Sequence, residues 1–395
     1  MSANLFTFTT FELSLAGIVG VLFLIQIFYL LIIYARPLRV AKTAKNTEQD
    51  LCDNDLPPVS VIVYAHGDPN DLQQNLPALL NQNYSNYEVI VVNDGSDADS
   101  EDVLKLFSHE YKHLYYTYVP VDTQYLSHKK LALTMGIKAA RHDLLLFTEA
   151  DSRPLSPNWI RSMAKAYQCK TDILLGFCAY RHTDKWLDKL IAYDNLTNGL
   201  QMISSALFHH PFTGNGRNLS YHKNLFFAHK GYSQFLNLHA GADDLFINQV
   251  SNSTNTQVEY SPDSIVEMKE IKDFNTWREM KASQAATKSY YKGGELIFYR
   301  IGTISNLIFD IAVIASFIAG LSGQWLLSTA AGLLLILRLI TLMIIYNKTT
   351  LLLQQKQITS WLPLLEIVLP VYNLYIRIYR IYNGKKDFTN HVPIV

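Results

Sequence analysis

The chain has 395 residues, 49% of them hydrophobic, and its 34 Lys and Arg balance its 34 Asp and Glu. That length exceeds what one soluble domain needs and leaves room for a membrane part, while zero net charge without a basic stripe argues against nucleic acid as a partner. The three cysteines, Cys52, Cys169 and Cys178, lack CxxC or Cys/His ligand spacing, so they are expected as buried apolar residues rather than reactive thiols.

Residues 1–12 are expected on the extracytoplasmic side of the membrane. From Leu13 to Tyr34 there is no charged residue, and that length crosses the hydrocarbon layer. Residues 13–34 therefore read as a transmembrane helix. The stretch is too long for a signal-peptide core and has neither a basic start nor a small-residue cleavage pattern. Arg36, Arg39, Lys42 and Lys45 follow it, which places that end in the cytoplasm. Residues 35–56 are polar and read as a linker closed by Pro57 and Pro58.

A soluble domain is expected over 57–295. Val59-Ser-Val-Ile-Val-Tyr64 is β-rich and runs into Ala65-His-Gly-Asp68, and a helix-like stretch with Leu72, Leu76, Leu79 and Leu80 follows. Tyr87-Glu-Val-Ile-Val-Val-Asn-Asp94 is a second strand ending in a carboxylate, with a helical segment from Ser100 to Phe107. Strands joined by helices, with acids at their carboxyl ends, imply a parallel sheet and a ligand crevice along that edge. Neither G-x-G-x-x-G nor G-x-x-x-x-G-K-[ST] is present, so phosphate has to be held in another way. His128-Lys-Lys130 opens the helix-like Leu131 to Ala140, and a lysine at a helix start can bind phosphate with the free N–H groups there; a solvated basic pair is the plainer alternative.

The most informative stretch is Leu144-Leu-Leu-Phe-Thr-Glu-Ala-Asp151, an apolar run that stops at two carboxylates. Glu149 and Asp151 are two residues apart and so face the same way on an extended segment. Paired carboxylates completed by substrate phosphates suit Mg²⁺ or Mn²⁺.

Beyond the domain, residues 301–321 and 325–346 read as two more transmembrane helices around Ser322-Gly-Gln324, with Arg300 and Lys348 at their cytoplasmic ends. Asp310 and Arg338 fall at similar depth and are expected to pair. Residues 360–382 carry Pro363, Glu366, Pro370, Arg377 and Arg380, and a crossing there would put the following Lys385 and Lys386 outside. An interfacial or re-entrant helix is therefore expected, with residues 383–395 as a cytoplasmic tail.

Taken together, these motifs resemble a membrane-attached bacterial family 2 glycosyltransferase with a GT-A fold, over roughly residues 57–295. The resemblance implies an α/β domain with a mixed, mostly parallel sheet that binds a nucleotide sugar. Val59 to Asp68 resembles the opening strand and base-binding loop, with Ala65 and Asp68 on the donor side. Glu88 to Ser96 resembles the second strand, whose acid, Asp94, meets the base. Lys129 stands where the family has a lysine near the diphosphate. Glu149-Ala150-Asp151 stands at the D-x-D motif, with Glu149 and Asp151 as metal ligands and Ala150 beside the donor. Gly214 to Ser220 resembles the strand facing the acceptor, which puts Asn215, Gly216, Arg217 and Asn218 on that side, with Phe212 near them. Gly241-Ala-Asp-Asp-Leu245 resembles the segment with the catalytic base, Asp243, and its neighbour Asp244.

Two departures stand out. Glu149 replaces the first motif Asp, and after Trp277 the family's Q-x-x-R-W segment has Met280 and Ser283 in place of Gln and Arg, with Lys281, Gln284 and Lys288 as the possible substitutes. The implied activity is inverting transfer of a sugar from a nucleotide donor, a UDP-sugar first, to a lipid- or glycan-linked hydroxyl in cell-envelope glycan synthesis. The implied place is the bacterial inner membrane, in contact with membrane lipids and with the catalytic domain in the cytoplasm. The rival readings are a processive polysaccharide synthase and a catalytically silent, nucleotide-binding scaffold.

Overall fold

A computed structural model describes residues 9–44, 56–66, 69–94, 99–120, 127–167, 170–181, 183, 185–236, 238–321 and 325–382. Asp68, Gly95, Ser96, Cys52, Cys169, the Ser322-Gly-Gln324 turn and the 383–395 tail lie outside them.

The chain enters through helix α1 (Thr10–Phe28), whose first turn is closed by a capping box between Thr9 and Glu12. A π-helical turn, Tyr29–Tyr34, carries it into α2 (Arg36–Ala44). The first part of the expected linker is thus helical, because the backbone continues through the charged residues instead of breaking at them.

The soluble domain alternates strand and helix: β1 (Val59–Ala65), α3 (Pro69–Leu80), β2 (Tyr87–Asn93), α4 (Asp99–Glu110), β3 (Leu114–Tyr118), α5 (His128–Ala139) and β4 (Leu144–Glu149). There follow β5 (Ser152–Pro154), α6 (Trp159–Lys165), β6 (Ile173–Gly176), β7 (Cys178–Tyr180), α7 (Trp186–Leu207), β8 (Leu219–His222) and α8 (Lys223–Ala228). The domain ends with α9 (Asp244–Val250), β9 (Thr256–Glu259), β10 (Val266–Met268) and α10 (Phe274–Thr287).

Seven strands form the main sheet in the order β3-β2-β1-β4-β8-β6-β9, and β5, β10 and β7 form a smaller one. The pairs β3/β2, β2/β1, β1/β4 and β6/β9 are parallel, whereas β8 runs antiparallel to both of its neighbours. Helices cover both faces of the sheet, which is why β1, β2 and β4 are continuous apolar runs. Alternate residues of β1 serve the two cores: Val61 and Val63 pack with Leu72, Leu76 and Leu79 of α3, and Ile62 with Leu133 and Ile137 of α5. The polar exceptions satisfy one another, as the Ser60 hydroxyl donates to buried Glu88 at 2.7 Å and Glu88 also accepts from the Arg141 amide at 2.7 Å. Cys178 is buried, as its surroundings in the sequence suggested.

Register decides what meets at the sheet's edge. Tyr64 pairs with Glu149 and Ala65 with Asn93, so β1, β2 and β4 end together.

Among the described residues, four helices are long and apolar enough to cross a membrane: Thr10–Thr43, Glu295–Leu321, Trp325–Leu352 and Thr359–Tyr382. α1, α11 (Glu295–Leu321) and α12 (Trp325–Leu352) pack together through Leu15, Val19, Phe309, Val313, Leu327 and Ala331. The fourth, α13 (Leu362–Tyr382), docks on the soluble domain: the Tyr372 ring stacks on Trp277 of α10 at 4.2 Å, and Arg380 donates to the Ala285 carbonyl at 2.8 Å. The expected Asp310 and Arg338 pair does not form. Arg338 instead bonds Glu366 of α13 and Asn306 of α11, because a third helix brings a carboxylate to the same depth.

Candidate active site

Where β1, β2 and β4 end, the Asp94 amide donates to the Ala65 carbonyl at 3.0 Å and the Ala150 amide to the Tyr64 carbonyl at 2.9 Å. The Ala150 carbonyl is held in turn by buried Asn75, at 2.8 Å. Ala65, Asp94 and Ala150 therefore share one rigid rim. The Asp94 carboxylate is buried, accepts from the Tyr64 hydroxyl at 3.1 Å and is bridged by the His66 ring. That hydrogen bond from Asp94 raises the His66 pKa above its ordinary value.

Next to this rim runs a chain of alternating charge. Arg217 grips Asp151 in bidentate fashion, at 3.0 and 2.8 Å, and reaches Glu149 at 2.7 Å. Lys129 bridges Glu149, at 2.6 Å, and Asp243, at 2.8 Å. Three carboxylates and two cations thus alternate in the order Asp151, Arg217, Glu149, Lys129, Asp243. Burial alone would push Lys129 down, but Asp243 and Glu149 more than reverse it and hold the ammonium well above its usual range. Burial pushes Asp151 up, and Arg217 overcomes that, leaving the carboxyl below the ordinary carboxylate range.

The sequence placed Arg217 on the acceptor side, and the geometry moves it. In the antiparallel register Phe147 pairs with Leu219, and from the turn just before β8 the Arg217 guanidinium reaches Glu149. Its guanidinium therefore lies among the carboxylates expected to bind metal. Gly216 belongs at the site for a steric reason, since a Cβ there would stand 2.2 Å from the Asp243 carboxylate. Asn215 accepts from the Arg217 amide at 3.1 Å and shapes that turn.

Asn218 does not face an acceptor. It is fully buried, accepting from the Trp159 indole at 3.1 Å and donating to the Phe177 and Ser264 carbonyls, so every polar atom is spent on holding β8 to its surroundings. Phe212 is likewise packed among Tyr291 and Tyr299.

Asp243 and Asp244, adjacent in sequence, point apart. Asp243 precedes α9 without capping it and turns to Lys129, whereas Asp244 accepts from Thr287 at 2.6 Å and Tyr291 at 2.9 Å. Asp243 alone faces the crevice. Of the substitutes considered for the altered segment, Lys281 is buried against Asp194 at 2.8 and 2.9 Å, and Lys288 donates to Asn198 at 3.4 Å. Met280 lies by the Tyr180 hydroxyl.

The donor set suits a divalent cation only in part from the protein side. Glu149 and Asp151 offer hard oxygens on one side of the chain, as Mg²⁺ or Mn²⁺ requires, but among the described residues no three His, Cys, Asp or Glu side chains converge. These residues fit a cation whose remaining ligands are donor phosphates and water. Asp68, the other expected donor-side residue, lies outside the described residues.

The chain is similar to several known proteins. Residues 60–228 match the profile of Glycosyl transferase family 2. EpsH of Bacillus subtilis (strain 168), a protein named as a glycosyltransferase, is 26% identical over 182 residues, 44% of this chain and 49% of EpsH. The chain thus spans about half the length of that curated relative. Among solved structures, the mannosyltransferase PcManGT from Pyrobaculum calidifontis, in complex with GDP-Man and Mn²⁺, is similar with a TM-score of 0.55 at 17% identity, covering 91% of this chain and 99% of that one. The likeness to that structure shows a GT-A fold, and residues 60–228 are similar to Glycosyl transferase family 2.

Proposed function

We propose that the chain transfers a sugar from a nucleotide donor to a hydroxyl acceptor with inversion, with Asp243 as general base. The observation that carries this reading is the convergence of Glu149, Asp151, Lys129, Arg217 and Asp243, from four separate segments, on the edge where three strand ends meet. A scaffold would need none of these charges so arranged.

In this reading the donor lies across the rim with its base at Asp94 and its diphosphate at Lys129 and Arg217. A divalent cation held by Glu149 and Asp151, as Mn²⁺ accompanies GDP-Man in PcManGT, would neutralise charge on the leaving diphosphate. Lys129 and Arg217 add fixed positive charge there, and a guanidinium offers the diphosphate two parallel N–H donors. Arg217 thereby supplies what Ser283 cannot. Asp243 takes the proton of the attacking hydroxyl at its free oxygen on the far side of the sugar, and a single carboxylate suffices because no covalent intermediate forms. Lys129, bonded to Asp243 at 2.8 Å, keeps that carboxylate aimed.

The membrane part fits a lipid-linked acceptor of an envelope glycan. Along α13, Leu364, Ile367, Val371, Leu374, Ile378 and Ile381 form one exposed apolar stripe opposite the face docked on α10. Such a helix turns its stripe to lipid with the domain on its other side, and Glu366, bonded to Arg338 of α12, marks where it dips between the crossing helices. With α1, α11 and α12 crossing, the basic start of α2 keeps the domain cytoplasmic in the inner membrane.

The test is nucleotide release by detergent-purified protein from a panel of UDP-, GDP- and dTDP-sugars with Mg²⁺ or Mn²⁺, using membrane lipid extract as acceptor. Metal-dependent release from one donor, lost in Asp151→Asn and Asp243→Asn, is expected. Nucleotide binding without turnover under every condition overturns the reading in favour of a silent scaffold.

A further inference from the structure

We propose that Lys130 is a positioning residue for the segment that delivers Asp243, its ammonium serving as the hub that gathers the carbonyls of Phe235, Leu238 and Ala240. The proposal rests on the reading of Asp243 as the base and adds to it the device that sets that base in place.

Lys130 is 1% exposed, yet it lies next to Lys129, which works in the crevice. One helical step of about 100° separates their directions. Lys129 looks out to Asp243, and Lys130 looks in. Its Nζ donates to the carbonyls of Phe235 at 2.5 Å, Leu238 at 2.5 Å and Ala240 at 2.9 Å. An ammonium has three donors, and here each meets a backbone carbonyl. Among the described residues no carboxylate touches it; Asp244 and Asp243 act on it from further away, and Lys129 opposes them. Burial outweighs these and brings its pKa down to about 8. One residue before the helix, the Ser127 hydroxyl donates to the His239 carbonyl at 2.8 Å.

The start of α5 therefore holds four carbonyls of one short segment. Directly after the last of them Gly241 adopts a φ of +86°, and two residues later the chain presents Asp243. Such a turn suits glycine, which has no Cβ to clash in that conformation. Lys130 fixes the backbone leading into the turn, and Lys129 receives the carboxylate that emerges from it. Filling the core needs no charge at this point, and methionine would pack as well. A buried ammonium disfavoured by its surroundings is explained by the three carbonyls it gathers. Among the bonds of the described residues, only the Phe235 carbonyl also accepts from a backbone amide, that of Leu238 at 3.1 Å.

The experiment compares the full-length protein in detergent with Lys130→Met. With saturating acceptor, kcat is expected to fall about 10²-fold, the scale of a 1 Å displacement of a reacting group, while the donor KM stays unchanged because Asp94 and the metal carboxylates are untouched. Wild-type kcat is expected to decline as pH rises through about 8, where the ammonium gives up its proton and the segment loses its hub, and Lys130→Met is expected to lack that decline. Hydrogen exchange gives a readout free of turnover: amides of 238–243 should lose protection in Lys130→Met while β1 and β4 keep theirs. Unchanged kcat, or unchanged protection of 238–243, overturns the proposal. So does loss of protection across the whole sheet together with a raised donor KM, which would mean a general packing role. If neither protein turns over, the base assignment fails, and exchange at 238–243 still decides the role of Lys130.

Discussion

Among the described residues, two of the networks of paired charge are built from the same kinds of residue and differ in access. At the carboxyl edge of the sheet, the side chains of Glu149, Asp243, Lys129, Arg217 and Asp151 are between 12% and 31% exposed. Between α11, α12 and α13, Arg338 is 1% exposed and Glu366 11%. The first network is reachable by a ligand and can exchange its internal partners for phosphate, a cation or a hydroxyl. The second is buried, with Asn306 as its third member, so it ties the helices to one another. Access and spare partners, not residue type, separate machinery from architecture here.

The sharpest contrast comes from breaking one member of each network. Asp243→Asn is expected to lower kcat about 10²- to 10⁴-fold, the usual contribution of a general base, with the thermal midpoint unchanged. Turnover at saturating donor, measured beside thermal unfolding, checks both halves. Arg338→Met should do the reverse. Removing one partner of a buried pair leaves a bare charge and costs about 3–5 kcal/mol, read by unfolding in detergent. Arg338→Met with Glu366→Leu should recover most of that loss, whereas Asp310→Ala should cost far less than Arg338→Met. If Arg338→Met is as stable as wild type, the second network is not architecture and the comparison collapses.

The sequence made the donor half legible and the third dimension much less so. Strands β1, β2 and β4 show themselves as apolar runs stopped by polar residues, and their ends are the site. Arg217 was assigned by its motif to the acceptor, and only the turn just before β8 shows it reaching Glu149. Arg338 was matched to Asp310 by counting depth along one hairpin, a count blind to a third helix. Asn218 and Arg217 are neighbours in one motif, yet one is fully buried structure and the other faces the crevice. Lys129 and Lys130 cannot be told apart in a string, because facing is set by how α5 docks on the sheet. The single available signal was spacing: Lys130, Leu133 and Ile137 recur on one side of that helix, and all three are buried.

A smaller effect sharpens the comparison inside the open network. With no donor bound, Arg217 competes with a divalent cation for Asp151 and Glu149. Arg217→Gln should therefore bind Mn²⁺ more tightly in the absence of donor, by about tenfold, equivalent to about 1.4 kcal/mol. Mn²⁺ titration followed by electron paramagnetic resonance measures it. The same variant should lose turnover, since the guanidinium is needed once the diphosphate is in place. Weaker Mn²⁺ binding would show that Arg217 organises the carboxylates and does not occupy them.

The smallest expected effect lies at Asp94, where the open edge has its one titrating bridge. His66 is 39% exposed and its pKa is raised by the hydrogen bond to Asp94, with burial opposing and the Asp94 charge reinforcing it. A histidine raised in the folded state contributes stability that is fully present below its unfolded pKa of about 6.5 and is lost as pH rises through the higher folded value. Over the same window the bridge loosens and frees the carboxylate for a donor base. Nucleotide affinity should therefore rise modestly from the acidic to the alkaline side of that window while stability falls slightly. His66→Gln should flatten both trends. Calorimetric titration of UDP and GDP across this pH range, beside thermal unfolding of the same samples, would show the two slopes with opposite sign if Asp94 belongs to the ligand. If stability falls and affinity does not move, the His66 and Asp94 pair belongs with Arg338 and Glu366 as architecture.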